Sequence, residues 1–170
     1  KGTERRKARI AVKIPAGIDE GMQVRLTGEG EVGVNGGRPG NLFVTISLEP
    51  HPFFRREGTN LIVQLPLNFA QVAMGTEIEI PTMNSPQYLK IPAGTQPGAV
   101  FRIRGKGMPD VRNQRKGDIL VEVNLKVPTS LDSEQRQALE QLAETMNWND
   151  SLDDQGKGLF EKFRDTFSNP

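Results

Sequence analysis

The sequence predicts a mostly β fold, in which two small tandem β-sandwich-like domains are related by an internal repeat and followed by a helical segment. Three observations carry this prediction: a repeat at constant spacing, strands of alternating apolar and polar residues, and a change to helical periodicity after Pro128. We expect the three parts to span residues 1–52, 53–128 and 129–170.

The repeat is marked by Ile14-Pro-Ala-Gly17, which returns as Ile91-Pro-Ala-Gly94. The spacing is 77 residues (91 − 14), and it holds without a gap over residues 13–48 and 90–125, named here the first copy and the second copy. Identical pairs at this spacing include Lys13/Lys90, Gly21/Gly98, Arg25/Arg102, Gly28/Gly105, Gly30/Gly107 and Gly40/Gly117. A repeat period of this length suits two domains of one fold better than the stacked units of a solenoid.

Three strands are predicted in the first part of the chain. Ala8–Ile14 alternates apolar and charged residues, as expected for a half-buried strand that Pro15 ends. Val24 and Leu26 belong to a short second strand, and Leu42–Leu48 is the third.

The second part continues the β pattern, with one short helix. Residues 53–60 are predicted to form a connector with a turn at Glu57-Gly58, and Asn68 is expected to cap a helix that runs to Met74 and stops at Gly75. Strands are predicted at Leu61–Leu67, Thr76–Pro81, Gln87–Ile91, Val100–Arg104 and Asp118–Val127. Because the links between strands are short, we expect antiparallel sandwiches.

The last part has helical periodicity. Asp132 is suited to be an N-cap, with Gln135 as its capping-box partner, at the start of a helix of roughly 13 residues. Two apolar stripes at i, i+3, i+7 follow: Leu139, Leu142 and Met146, then Phe160, Phe163 and Phe167. On pattern alone these stripes fit equally a lid on their own domain and a dimer seam.

Composition excludes several classes of function. The chain has 22 basic and 21 acidic residues, so bulk charge does not favour a nucleic-acid or membrane partner. It has no cysteine, which excludes disulfides and thiolate metal sites. No apolar run is long enough to span a membrane and no signal peptide opens the chain, so the expected location is the cytoplasm.

Three polar motifs have structural explanations. Gly28-Glu-Gly-Glu-Val-Gly33 matches a dinucleotide string but lacks the strand–helix context, so we interpret it as a turn-rich loop. His51, the only histidine, is interpreted as a structural corner between two prolines, and no catalytic, metal or cofactor site is expected. The basic clusters Arg102–Lys106 and Arg112–Lys116 are interpreted as solvated surface, with an acidic protein tail as the alternative ligand.

A groove is the candidate binding feature. Ile10–Ile14 and Leu42–Leu48 together carry more aliphatic surface than one sheet contact needs. A shallow apolar groove beside an open sheet edge accepts an extended peptide by strand addition, and ordinary interior packing is the alternative.

Several long motifs, in order, resemble the carboxy-terminal region of the bacterial DnaJ co-chaperones over about residues 8–146. They are Val12-Lys-Ile-Pro-Ala-Gly17, Arg25-Leu-Thr-Gly-Glu-Gly30, Gly40-Asn-Leu-Phe-Val44, Pro50-His-Pro-Phe-Phe-Arg-Arg-Glu-Gly58 and Phe101-Arg-Ile-Arg-Gly-Lys-Gly107. The ending Gly158-Leu-Phe-Glu-Lys-Phe163 resembles the tail of many such proteins.

The resemblance implies a fragment. Full-length members carry a J domain, whose His-Pro-Asp motif stimulates ATP hydrolysis by a DnaK-type heat-shock chaperone, and a cysteine-rich zinc module. Here Phe53 follows His51-Pro52 and there is no cysteine, so zinc is expected only in the module that this chain lacks. The first domain is then expected to lack its opening strands.

The resemblance also implies binding sites and partners. Unfolded polypeptide clients would contact Ile10 and Val44, with Val12 and Ile46 as neighbours on the same face. A homodimer joined at the tail would use the two apolar stripes defined above. The implied protein is a non-enzymatic, stress-response co-chaperone. The alternatives are a dimerisation module without client binding, or a β-sandwich hydrolase or lectin, against which one histidine and one tryptophan argue.

Overall fold

The structure is a computed structural model that describes residue 7, residues 9–33 and residues 37–146. Its elements in chain order are β1 (Gln23–Thr27), β2 (Asn41–Thr45), β3 (Arg55–Glu57), β4 (Asn60–Leu67), α1 (Phe69–Met74), β5 (Thr76–Ile80), β6 (Gln87–Ile91), β7 (Val100–Ile103), β8 (Ile119–Leu125) and α2 (Ser133–Thr145). The mostly β prediction is confirmed. The chain divides into two compact units, one ending at Val127 and one beginning at Pro128. The further division of the first unit at residue 52 stays a prediction.

The strands of the described chain form three sheets. β1 pairs with β2 and β5 with β6, both antiparallel, and the third sheet has the order β3-β4-β8-β7. The expectation of purely antiparallel pairing is wrong, because β4 and β8 run parallel, with Leu61 opposite Ile119. Parallel strands need a long crossover, and the chain between Leu67 and Ile119 supplies one that contains α1, β5, β6 and β7.

The repeat is visible in the strand registers. β1 pairs with β2 in the register in which β7 pairs with β8, displaced by 77 residues. Val24↔Val44 and Leu26↔Leu42 in the first copy correspond to Phe101↔Val121 and Ile103↔Ile119 in the second. The loop bonds repeat too: Gly30 N donates to Gly40 O at 3.0 Å, and Gly107 N donates to Gly117 O at 2.9 Å. The two copies therefore share one local backbone structure.

The hydrophobic core lies almost entirely after residue 53. Its most deeply buried side chains are Leu61, Leu67, Ile80, Ile91, Ile119, Val121 and Val123. In the first copy, Ile18 is the only described apolar side chain that is buried. The core therefore forms around β4 and β8, the two central strands of the four-stranded sheet.

The predicted strand at Ala8–Ile14 is wrong for the described residues. Residues 9–14 form no strand and make no described backbone hydrogen bond to another segment. Their counterpart at the repeat spacing is β6, which pairs with β5. The counterpart of β5 at the same spacing lies outside the described residues, and residues 9–14 have no described strand partner.

The local signals at turns and helix ends are confirmed. Asn68 and Asp132 cap α1 and α2, each through a complete capping box, and Gly75 ends α1 at φ +80°. The turn at Glu57-Gly58 has Gly58 at φ +58°, but it joins β3 to β4, so the predicted connector contains a strand.

Gln114 is the one described non-glycine residue with positive φ, at +59°. At the repeat spacing it corresponds to Gly37. A left-handed backbone costs a residue with a Cβ about 1–2 kcal/mol, and the entropy of an added glycine offsets about half of this. We expect Gln114→Gly to raise the free energy of unfolding by about 0.5–1 kcal/mol in urea denaturation. Arg112→Gly, in the same loop without positive φ, is the control and should bring no gain.

Candidate functional site

The apolar side of β2 is only half-covered in the first copy. Leu42 and Val44 point to one side of the strand and Phe43 to the other. Opposite them on β1 stand Leu26 and Val24. Leu42 and Val44 are half-buried, although this side is aliphatic on both strands.

The second copy shows how the same positions look when they are covered. Leu42, Val44 and Ile46 correspond at the repeat spacing to Ile119, Val121 and Val123. These three side chains are exposed by only 0%, 0% and 1%. Residue types and registers match between the copies, so the difference lies in what packs against the strand.

This half-covered strand also has an open edge. In the second copy, β8 lies between β7 and β4. In the described part of the first copy, β2 has only β1 as a neighbour. In a strand, the backbone N–H and C=O groups of successive residues point alternately to its two edges. The edge of β2 that faces away from β1 therefore presents N–H and C=O groups without a described strand partner.

Polar contacts hold β2 in place at its carboxyl end. The carboxylate of Glu20 accepts a hydrogen bond from Ser47 Oγ at 3.1 Å and another from the backbone N–H of Leu48. Gln23 Nε2 donates to Thr45 Oγ1 across the strand pair at 3.3 Å. These bonds lie beside the apolar side chains and fix the strand that presents them.

The four residues predicted to contact clients lie on two segments. Val44 is in β2, and Ile46 follows it, half-buried, with its N–H bonded to Met22 O at 2.9 Å. Ile10 is exposed and Val12 half-buried, on a segment without strand structure. The structure thus places Val44 in β2 and Ile46 just after the end of that strand, and it shows no strand pairing that would hold Ile10 and Val12 beside them.

A cavity that sequence reasoning missed lies where the chain passes from the first copy into β3. It has a volume of about 650 Å³ and lies between the Pro50–Arg56 segment and β4, with Met83 and Met108 at its wall. Phe53 in its lining is 67% exposed. None of the residues predicted to bind clients lines it. The signal that could have found it is the aromatic pair Phe53-Phe54 directly after Pro50-His-Pro52, at the start of the predicted connector.

The tail helix presents the first predicted dimer stripe. Leu139, Leu142 and Met146 are all exposed, and no residue of α2 is buried. Leu139 and Leu142 lie one turn apart within the helix, and Met146 is its C-cap. The second stripe, Phe160, Phe163 and Phe167, lies outside the described residues.

The described residues meet neither the requirements of a metal site nor those of a membrane-spanning helix. Among those residues, no cluster of three histidine, cysteine or acidic side chains is placed to hold a metal ion. Over the same residues, no helix is long and apolar enough to cross a membrane.

Comparison with known proteins places this duplicated β structure in a family. Residues 2–128 match the family model described as the DnaJ C terminal domain. Relatives named Chaperone protein DnaJ include proteins from Oceanobacillus iheyensis (45% identity; 98% of this chain, 44% of the relative), Acetivibrio thermocellus (44%; 97% and 42%) and Bacillus cereus strain B4264 (50%; 89% and 41%). The chain therefore belongs to the DnaJ C-terminal domain family. It spans less than half the length of these relatives.

Proposed function

We propose that this chain is the client-binding and dimerising part of a co-chaperone that delivers non-native polypeptides to a DnaK-type chaperone. It acts without catalysing a reaction. Clients bind to the apolar side and open edge of β2, with Val44 and Ile46 as central contacts and Ile10 and Val12 at the margin. The tail stripes, from Leu139 to Phe167, join two chains.

The single observation that carries the client-binding proposal is the difference between the two copies. Val44 and Val121 are the same residue at the same position of the same local structure. Val121 is buried in the core, whereas Val44 is only half-covered. Aliphatic side chains beside unpaired backbone groups suit an extended apolar peptide, which supplies both side chains and a strand.

Dimerisation strengthens such a site. One half-covered strand pair offers little area, so a single contact is expected to be weak. Two sites in one particle bind a long unfolded chain at two points, and the second contact benefits from a high effective concentration. Family membership supports this arrangement, because the resemblance implies a dimer joined at the tail.

Val44→Asp is the variant that tests the client site. Burying a valine side chain contributes about 1.5–3 kcal/mol, so a charge there should weaken binding of a leucine- and phenylalanine-rich peptide by about tenfold or more. Fluorescence anisotropy of the labelled peptide measures the affinity. Light scattering should show an unchanged oligomeric state.

Phe43→Asp is the matched control. Phe43 is more exposed than Val44 and lies on the same strand, but it points to the opposite side. If peptide affinity falls only in Val44→Asp, the apolar side of β2 is the site. Equal losses in both variants would indicate nonspecific adhesion, and unchanged affinity in Val44→Asp would refute the assignment. Suppression of aggregation of an unfolded protein at stoichiometric amounts separates client binding from a purely structural dimerisation role.

A further inference from the structure

The Ile-Pro-Ala-Gly motif has different surroundings in its two copies. Gly17 and Gly94 both have left-handed backbones, at φ +88° and +76°. A Cβ built on Gly17 would lie 2.1 Å from Pro109 O, whereas a Cβ on Gly94 would meet nothing within 4 Å. The turn of the first copy is therefore packed, backbone against backbone, on the loop that begins at Pro109.

Arg56 holds the same turn from another side. Its Nη1 donates to Ile18 O at 2.6 Å and its Nη2 to Gly17 O at 2.8 Å. Its Nε donates to Gly58 O at 2.8 Å, and Asp19 Oδ2 lies 3.6 Å from Nη2. The guanidinium thus connects two carbonyl groups of the first copy to the β3–β4 turn. Its rigid fork of donors is suited to several acceptors at once.

Burial distinguishes Arg56 from its neighbour. The side chain of Arg56 is 18% exposed, whereas that of Arg55 is 66% exposed and pairs only with Glu57 on its own strand. Hydrogen bonds to a charged donor contribute more when they are shielded from water. Arg56 is therefore the arginine of β3 whose bonds contribute to holding the first copy on the β3–β4 turn.

The covalent link from the first copy to β3 is itself restrained. Pro50 and Pro52 fix two φ angles. Between them, His51 Nδ1 accepts hydrogen bonds from the backbone N–H groups of Phe53 and Phe54, each at 3.2 Å. The linker, the Arg56 bonds and the Gly17–Pro109 contact together attach the first copy at three places.

We propose that Arg56 is a positioning residue that locks the first copy in one orientation on the β3–β8 structure. Rotation of the first copy would break the two hydrogen bonds from Arg56 to Gly17 O and Ile18 O and open the contact at Gly17. This lock, made of the Arg56 hydrogen bonds and the Gly17–Pro109 contact, sets the direction in which β2 presents its apolar side. That consequence for clients rests on the proposed function, whereas the lock itself does not.

Label-to-label distances test the lock directly. The chain has no cysteine, so Thr27→Cys and Tyr88→Cys provide two unique, exposed sites for spin labels, one on each side of the joint. With labelled chains diluted in an excess of unlabelled chain, so that a dimer carries at most one labelled copy, we expect one narrow distance distribution by pulsed electron paramagnetic resonance in the otherwise unchanged chain and in Arg55→Ala. In Arg56→Ala and Arg56→Lys we expect this single distribution to be lost and a broad one to appear. A narrow, unshifted distribution in Arg56→Ala overturns the proposal, and rescue by lysine overturns the assignment to the guanidinium fork.

A glycine pair tests the joint without touching Arg56. Gly17→Ala and Gly94→Ala carry the same backbone penalty, but only the first meets Pro109. We expect the distribution to broaden in Gly17→Ala alone, with circular dichroism showing folded protein in both. This pair decides the question if Arg56→Ala fails to fold, and equal distributions in the two variants overturn the proposal. No peptide is present in these distance measurements, so their result does not depend on whether the chain binds clients.

Discussion

Replacing Leu139 and Leu142 together by aspartate is expected to convert the proposed dimer to a monomer. Both side chains are exposed on one side of α2, where they have no buried neighbour within the described helix. Burying two leucines in a seam contributes about 3–6 kcal/mol, and two facing pairs of carboxylates would oppose association further. Light scattering measures the change as a loss of half the particle mass.

The opposite side of the same helix supplies the control. Gln137 and Gln141 lie one turn apart and about half a turn of rotation away from the leucine pair. Gln137→Asp/Gln141→Asp adds the same charge to α2 and should leave the dimer intact. Deletion of residues 129–170 should give the same monomer as the leucine variant. A dimer that persists after the deletion would move the interface to the β sheets.

The monomeric variant also separates two contributions to client binding. Affinity for a short peptide, which occupies one site, should be unchanged. Affinity for a long unfolded chain should fall, because the second contact is no longer intramolecular. Two linked sites raise the overall affinity by about 10²–10⁴-fold in favourable geometry. Equal affinities of dimer and monomer for a long client would show that the two faces never bind one chain together.

The two equivalent valines should respond very differently to truncation. Val121→Ala removes two methyl groups from a fully buried site and leaves a cavity, so we expect the free energy of unfolding to fall by about 2–3 kcal/mol. Val44→Ala removes the same groups from a half-covered site and should cost about 1 kcal/mol or less.

Urea denaturation at equal protein concentration measures both variants. A shift of the midpoint without a change of slope reports a change in stability alone. Val44 and Val121 match in residue type, strand position and register. The difference between the two losses of unfolding free energy therefore measures the packing that β8 has and β2 lacks. Losses of equal size would mean that the apolar side of β2 is packed in solution, and they would remove the basis of the proposed client site.

Much of the fold is predictable because its signals are local. The capping boxes at Asn68 and Asp132, the glycines at 58 and 75, and the alternation of β4 and β8 each involve residues a few positions apart. Such signals depend on backbone geometry and on the chain's own side chains. The repeat extends this reasoning over 77 residues, since two similar segments adopt similar registers.

The client site stays a prediction for both segments, although the local structure of the two segments differs. Val44 and Ile46 were assigned to an apolar side of a strand, and β2 presents Val44 in that way. Ile10 and Val12 alternate just as well, yet residues 9–14 form no strand. An alternating apolar pattern indicates which face of a strand would be buried. A strand also needs a neighbouring strand to pair with its backbone, and the pattern does not show whether one is present.

The amino-acid pattern alone establishes the duplication, the positions of most strands, both helices and their caps, and the family to which the chain belongs. The three-dimensional structure adds the features that depend on distant partners. These are the parallel pairing of β4 with β8, the burial of Val121 but not of Val44, and the use of Gly17 but not Gly94 as a contact. Strand direction, burial and docking are properties of pairs of segments, and identical sequences acquire different environments when their neighbours differ.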